Sequence, residues 1–240
     1  MTPSKPLRWM LVPLALIIVA CLLVGYALKY PTDSLVARLI TISNVNKALK
    51  EHLGLVFVSM LVAVFTGIAF GIIISRPIFY VFGRVIENVV NLGQTVPSLA
   101  ILALFYSVLG LGFNVAVFAL WLYSILPVLR NTYAGIKNIT PDVIEAAKGM
   151  GMNPWHILTR IELPIAAPII LAGIRTAIVI NVGAATLATF IGAGGLGDFI
   201  VTGLSVRRNL VVFTGAGLAA ITAIFFDYLV GLVEEHLVHW

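Results

Sequence analysis

The chain has very little cysteine: one residue, Cys21, in 240. That excludes a disulfide within the chain and a thiolate metal cluster. The four histidines, His52, His156, His236 and His239, sit at span ends or in a polar stretch and are not spaced as a metal set. There is no G-x-S-x-G, no H-E-x-x-H and no Walker phosphate-binding motif, so no residue is assigned as catalytic. Charge is also scarce: 10% of the residues are Asp, Glu, Lys or Arg, against about 25% in an ordinary soluble domain. No stretch is long and polar enough to be a separate soluble domain, and no internal repeat stands out.

What fills the chain is apolar. Hydrophobic residues make up 60% and the mean hydropathy is +1.07, so the composition is that of a membrane protein. A pI near 9.5 raises nucleic acid as a partner. The basic residues are scattered between apolar runs, however, and membrane topology explains them better. Six apolar runs approach the ~20 residues that cross a hydrocarbon core. They are 11–28, 53–75, 90–109, 113–129, 166–191 and 210–233. Lys5 and Arg8 ahead of an apolar run resemble a signal peptide, and Ile18-Val19-Ala20-Cys21 resembles a lipoprotein cleavage box. The run continues past the cysteine to Leu28, so the expectation is a retained first transmembrane helix. Residues 1–52 are then an N-terminal helix plus an outside connecting segment, and 53–240 the main transmembrane domain. With the N-terminus inside, the inside segments hold Lys5, Arg8, Arg76, Arg84, Arg130, Lys137, Lys148 and Arg160. The outside segments hold Lys29, Arg38, Lys47, Lys50, Arg207 and Arg208. The excess has the sign of the positive-inside rule and places both termini in the cytoplasm.

The polar exception is 140–164, TPDVIEAAKGMGMNPWHILTRIELP. Thr140 suits an N-cap, Pro141 the first helical position, and Asp142 the positive helix end. Val143, Ala146, Ala147 and Met150 recur with helical spacing as one apolar face. Gly149 and Gly151 end that helix. Asn153-Pro154 begins a second helix with Pro154, Ile157, Leu158 and Ile161 on one face, and Pro164 is expected to stop it. Two short amphipathic helices between long apolar runs form a docking platform on one membrane face.

These residues carry a family resemblance. Glu145-Ala146-Ala147, then Gly151, Ile161, Leu163 and Pro164 match, at full spacing, the EAA loop of ABC importer permease subunits. Thr95-Val96-Pro97-Ser98-Leu99-Ala100 resembles the TxPSLA segment of osmoprotectant permeases. The segment 190–198, FIGAGGLGD, is similar to one that the same permeases share. The resemblance is to the Yeh/Osm-type permeases for glycine betaine, choline and related quaternary-ammonium solutes. It covers roughly 53–233, and the first fifty residues carry none of it. It implies an all-α type I importer fold of about six transmembrane helices with a cytoplasmic coupling helix, in a bacterial inner membrane. It also implies two ABC ATPase subunits on the platform, a second permease chain (a copy or a homologue), and a periplasmic or lipid-anchored substrate-binding protein. ATP and Mg belong to the ATPase, so no cofactor is expected in this chain. A permease for another small solute (an amino acid, a methionine-like compound or an alkylsulfonate) is the alternative. A secondary transporter built on Asp227 is a further rival.

Within the membrane, Gln94, Thr95 and Pro97 are polar or kinking residues at a candidate transport path. Asn181 and Thr186 lie in a run of small and polar residues, which suits either static packing or a water-filled path. The family's pathway helix at this position favours the path. Gly67 and Gly71 have small-xxx-small spacing, read as packing within the chain. Gly192-Ala193-Gly194-Gly195-Leu196-Gly197 fits G-x-G-x-x-G, but with no βαβ unit around it the reading is a tight turn with positive φ, not a dinucleotide site. Asp198, Arg207 and Arg208 on that outer loop are candidates for contact with the binding protein.

Overall fold

A computed structural model describes residues 5–79, 85 and 96–237. The described residues form helices and connecting turns, with no strand among them. The long helices are α1 (Lys5–Lys29), α3 (Ile42–Ile74), α5 (Phe113–Lys137), α8 (Leu163–Ala185) and α10 (Asn209–Leu237). Shorter ones are α2 (Ser34–Leu39), α4 (Ser98–Leu109), α6 (Pro141–Gly149), α7 (Pro154–Ile157) and α9 (Gly197–Ser205).

Five stretches are long and apolar enough to cross a membrane: Trp9–Lys29, Ile42–Ile74, Phe113–Lys137, Pro154–Ile191 and Asn209–Glu235. The sixth expected span, 90–109, is represented by α4, whose 12 residues reach only about 18 Å. Its expected first residues, 90–95, lie outside the described ones. The segment 29–52, expected as an outer connection, is largely helical. Asp33 Oδ1 caps α2 by accepting from the Val36 N–H at 2.8 Å, and Thr41 Oγ1 caps α3 by accepting from Asn44 at 3.1 Å. From Thr41 onward the chain is one helix, so the 52/53 division falls inside α3. At 33 residues and roughly 1.5 Å per residue, α3 is longer than a bilayer core is thick, and its charged residues, Lys47, Lys50 and Glu51, all lie in its first three turns.

Helices in lipid gain little from apolar burial as such, so close packing must hold them. Here glycine supplies it. A Cβ on Gly67 would lie 2.8 Å from Val128, and one on Gly71 2.6 Å from Thr132, which is how α3 and α5 approach. The expected small-residue seam is therefore a contact within the chain. Gly173 does the same for α8 against α5, where a Cβ would meet Asn131 at 2.6 Å and the Pro127 carbonyl at 2.8 Å. The α3–α5–α8 trio buries Leu55, Leu120, Val128, Ala177, Val182 and Ala185. A second cluster, with Ala27, Val36, Leu196, Phe199, Val211 and Leu218, seats α1 and α2 against α9 and α10. The outward face of α1 keeps Met10, Leu14, Leu22 and Tyr26 exposed, the pattern of a lipid-facing helix.

Candidate coupling platform and transport path

The platform forms at one end of the bundle. Thr140 takes the N-cap position of α6, but its hydroxyl makes no capping bond. Pro141 and Asp142 fill the first turn as expected. The helix ends in a Schellman turn: the Met152 N–H donates to the Ala147 carbonyl at 3.2 Å and the Gly151 N–H to Lys148 at 2.9 Å. Gly151 has φ +78, which only glycine adopts without strain. Asn153 caps α7, its Oδ1 accepting from the His156 N–H at 2.9 Å.

Pro164 does not stop the second helix. The chain runs on from α7 through a π turn, Leu158–Glu162, directly into α8. The Leu163 N–H donates to the Leu158 carbonyl, five residues back. The extra residue re-phases the helix, and Pro164 then falls in the first turn of the next segment, where a missing N–H is tolerated. The second platform helix α7 and the membrane helix α8 are thus one continuous rod with a single irregular turn, while α6 is set off from it by the turn at Gly151.

The predicted apolar face of α6 is mostly left open. Ala147 is buried, but Val143 and Ala146 are exposed and Met150 is 72% exposed. Trp155, at the start of α7, is 68% exposed. Glu145 and Gly151 are exposed, Ile161 and Leu163 half-buried, and Pro164 exposed. The motif residues therefore share one end of the molecule, and much of their apolar surface has no partner in this chain.

Two ion clusters beside this region were not read from the sequence. Arg76, just past the end of α3, donates to both oxygens of Glu162, at 3.1 and 2.6 Å. In α8, Arg175 donates Nε and Nη2 to Asp227 at 2.8 and 3.0 Å, and Nη1 to Glu234 at 3.1 Å, both on α10. Asp227 is conspicuous in the sequence, and its partner was legible too: Arg175 is a lone cation in an apolar run, and such a charge requires a counter-ion.

The candidate path residues separate. Gln94 and Thr95 lie outside the described residues. Pro97 is the N-cap of α4 and exposed, so among the described residues it begins a helix and does not kink one. Asn181 is fully buried and lines no open path in this conformation. Its Nδ2 donates to Ser124 Oγ at 2.7 Å and to Ser59 Oγ at 2.9 Å, joining α8, α5 and α3. That is the packing alternative. Thr186 is half-buried and its hydroxyl returns to the Gly183 carbonyl at 2.7 Å. The open stripe of α8 lies elsewhere, through Ala172, Thr176, Val179 and Gly183.

At the opposite end, Gly192, Gly194 and Gly195 have φ of +70, +73 and +99, so the glycine run is the tight turn its composition implied. The Gly195 N–H donates to Glu51 Oε2 at 3.0 Å. Asp198 lies in the first turn of α9 and accepts from the Thr189 hydroxyl. The three expected docking charges do not act alike. Arg207 is exposed, while Arg208 is tied to Asp33 in an ion pair and contributes to holding α2. The Val36 amide, and after it Arg208, hold the Asp33 carboxyl below its ordinary range.

A bundle of membrane-crossing helices with a platform at one end is the architecture of a multi-pass transport component. Chains from the MetNI methionine ABC transporter in inward facing conformations superimpose with a TM-score of 0.70 at 21% identity, covering 81% of this chain and 96% of theirs. A chain of an amino acid ABC transporter solved with histidines gives 0.63 at 22% identity, covering 79% of this chain and 92% of that one. Residues 63–239 match the family described as binding-protein-dependent transport system inner membrane component, and the chain belongs to that family. Among its relatives, the choline transport system permease protein OpuBB of Bacillus subtilis is 42% identical over 187 residues, 78% of this chain and 85% of that protein. The glycine betaine/carnitine/choline permease protein OpuCB of the same organism is 43% identical over 77% of this chain and 84% of its own length. The osmoprotectant import permease protein OsmY of Salmonella typhimurium is 42% identical over 78% of this chain and 80% of its own length.

Proposed function

We propose that this chain forms the membrane pathway of an ATP-driven importer for quaternary-ammonium osmoprotectants such as glycine betaine and choline. The observation that carries the coupling reading is the open apolar face of the platform. Val143, Met150 and Trp155 are presented to solvent around Glu145 and Gly151, and exposed apolar patches of this kind mark protein contact sites. An ABC ATPase is the partner of that face. ATP and Mg are held by the ATPase, and this chain supplies transport and no hydrolysis. The Lys/Arg bias puts the platform and both termini in the cytoplasm. The glycine-turn end, with Arg207 and Asp198, faces a separate substrate-binding protein.

A second permease chain completes the path. The open stripe of α8, with Ala172, Thr176 and Gly183, is small and polar where a lipid-facing helix carries Leu, Ile and Phe. It suits a wall shared with that second chain. Choline-class solutes are preferred to a methionine-like one because relatives 42% identical over the aligned residues carry choline or osmoprotectant names, while the methionine transporter shares the fold at 21% identity. The pairing of Asp227 with Arg175 argues against a proton-coupled carrier, which requires an acid free to titrate.

The test is co-purification from mild detergent with mass spectrometry, alongside uptake of labelled choline and glycine betaine. An ABC ATPase travels with the wild-type chain and is lost from Gly151→Leu. A chain that brings no ATPase, or that takes up neither solute when its ATPase and binding protein are co-expressed, overturns the reading.

A further inference from the structure

The rod joining platform to membrane has one irregular turn, and an ion pair sits on it. Glu162 is the last residue of the π turn, its side chain only 9% exposed. Arg76 reaches it from the end of α3, where Ser75 closes the helix. Both carboxylate oxygens are engaged, each by a different guanidinium nitrogen. A two-point contact between planar groups fixes relative angle as well as distance, which a single lysine contact does not. The π turn is therefore attached twice: to α8 through the backbone and to α3 through this clamp.

Beyond the turn, little is free to move separately. Gly67 and Gly71 lock α3 onto Val128 and Thr132 of α5, and Gly173 locks α8 onto Asn131 and the Pro127 carbonyl. Before the turn, Ala147 and Ile157 are the fully buried side chains of α6 and α7. Among the described residues, α6 and α7 thus bury little of their own side-chain surface, and the Arg76–Glu162 pair holds the π turn at their membrane end.

We infer that Arg76 and Glu162 are positioning residues that fix the angle of the platform against α3. A displacement of α6 and α7 by the ATPase then moves α3 and α5 together with α8, and is not absorbed by the π turn. This rests on the platform reading proposed above.

Removing one partner strands a nearly buried charge and endangers folding, whereas replacing both by apolar groups is often tolerated. The test therefore uses the double variant Arg76→Met/Glu162→Met and the exchanged pair Arg76→Glu/Glu162→Arg, each in proteoliposomes with its ATPase. The measurement is solute transported per ATP hydrolysed, with the co-purified ATPase as control. The double methionine variant retains its ATPase, and its ratio falls about tenfold, the scale of coupling carried by contact networks. The exchanged pair recovers most of the ratio. An unchanged ratio in the methionine variant, loss of its ATPase, or no recovery on exchange overturns the inference while the platform reading stands. Absence of ATPase from the wild-type chain overturns both.

Discussion

At the glycine-turn end, polar groups find partners within the chain. Asp33 caps α2 and pairs with Arg208, Glu51 accepts from the Gly195 amide, and Asp198 accepts from Thr189. At the platform end, the large apolar side chains Met150 and Trp155 are exposed, and the Arg76–Glu162 ion pair bridges to α3. One end completes itself and the other is unfinished. An end whose donors and acceptors are satisfied internally holds its shape alone. An end with exposed apolar surface and few internal ties takes its position from what binds it.

The sharpest way to break this contrast is at the turn. A Cβ on Gly197 would lie 1.9 Å from the Thr186 carbonyl oxygen, so Gly197→Val is expected to cost more than about 4 kcal/mol and leave no monodisperse protein after detergent extraction. A well-behaved variant would show that the turn is not self-determined. At the platform the effect is on function and not on folding. Met150→Asp changes an exposed side chain, so thermal stability in detergent stays within about 0.5 kcal/mol, while uptake falls roughly tenfold or more as an interface anchor is lost. An equal loss of stability and uptake would dissolve the distinction between the two ends.

Between them, Asn181→Leu removes the two hydrogen bonds that tie α8 to α5 and α3. The expected cost is about 1 kcal/mol, typical of hydrogen bonds between helices in lipid, read as a lower melting temperature with uptake reduced in proportion. Lost uptake at unchanged stability would return Asn181 to the transport path. The smallest effect belongs to Asp33→Asn. Because the folded carboxyl titrates below its ordinary range, its contribution is present above the unfolded pKa, near about 3.9, and lost as pH falls through the folded value. Wild type and variant therefore differ slightly in stability at neutral pH and converge below about pH 4. A difference that persists in acid would assign the role to the cap geometry and not to the charge.

His52 is the exception at the self-completed end. It is fully buried, and neither ring nitrogen has a hydrogen-bond partner among the described residues. It packs beneath Gly195, where a Cβ would meet its Nδ1 at 3.4 Å. The sequence places it at a span end but contains no sign of this burial, which depends on a turn more than a hundred residues further along.

Much of the architecture is written in local order. Apolar runs of bilayer length, helix caps at Asn153 and around Gly151, and the EAA spacing are all set within a few residues, so they survive without knowledge of neighbours. Two readings met a wider setting than a local rule covers, and one of them failed. Proline breaks an α-helix, so Pro164 reads as a stop, but the π turn places it where no amide is required. A polar residue in a span needs water or a partner, so Asn181 by itself leaves packing and path open, and the family resemblance favours the path. The structure supplied partners, Ser124 and Ser59, 57 and 122 residues away in the chain.

The sequence by itself determined that this is a helical membrane protein, where most of its spans run, and which residues form the platform, because hydrophobic length, capping and motif spacing act over one or two turns. Only the tertiary structure decided that Glu162 meets Arg76, that Arg175 meets Asp227, and that Asn181 points into a helix seam. Those pairings depend on the rotation and depth of each helix against the next. That rotation is set by where glycines admit a neighbouring backbone, and no single helix records it.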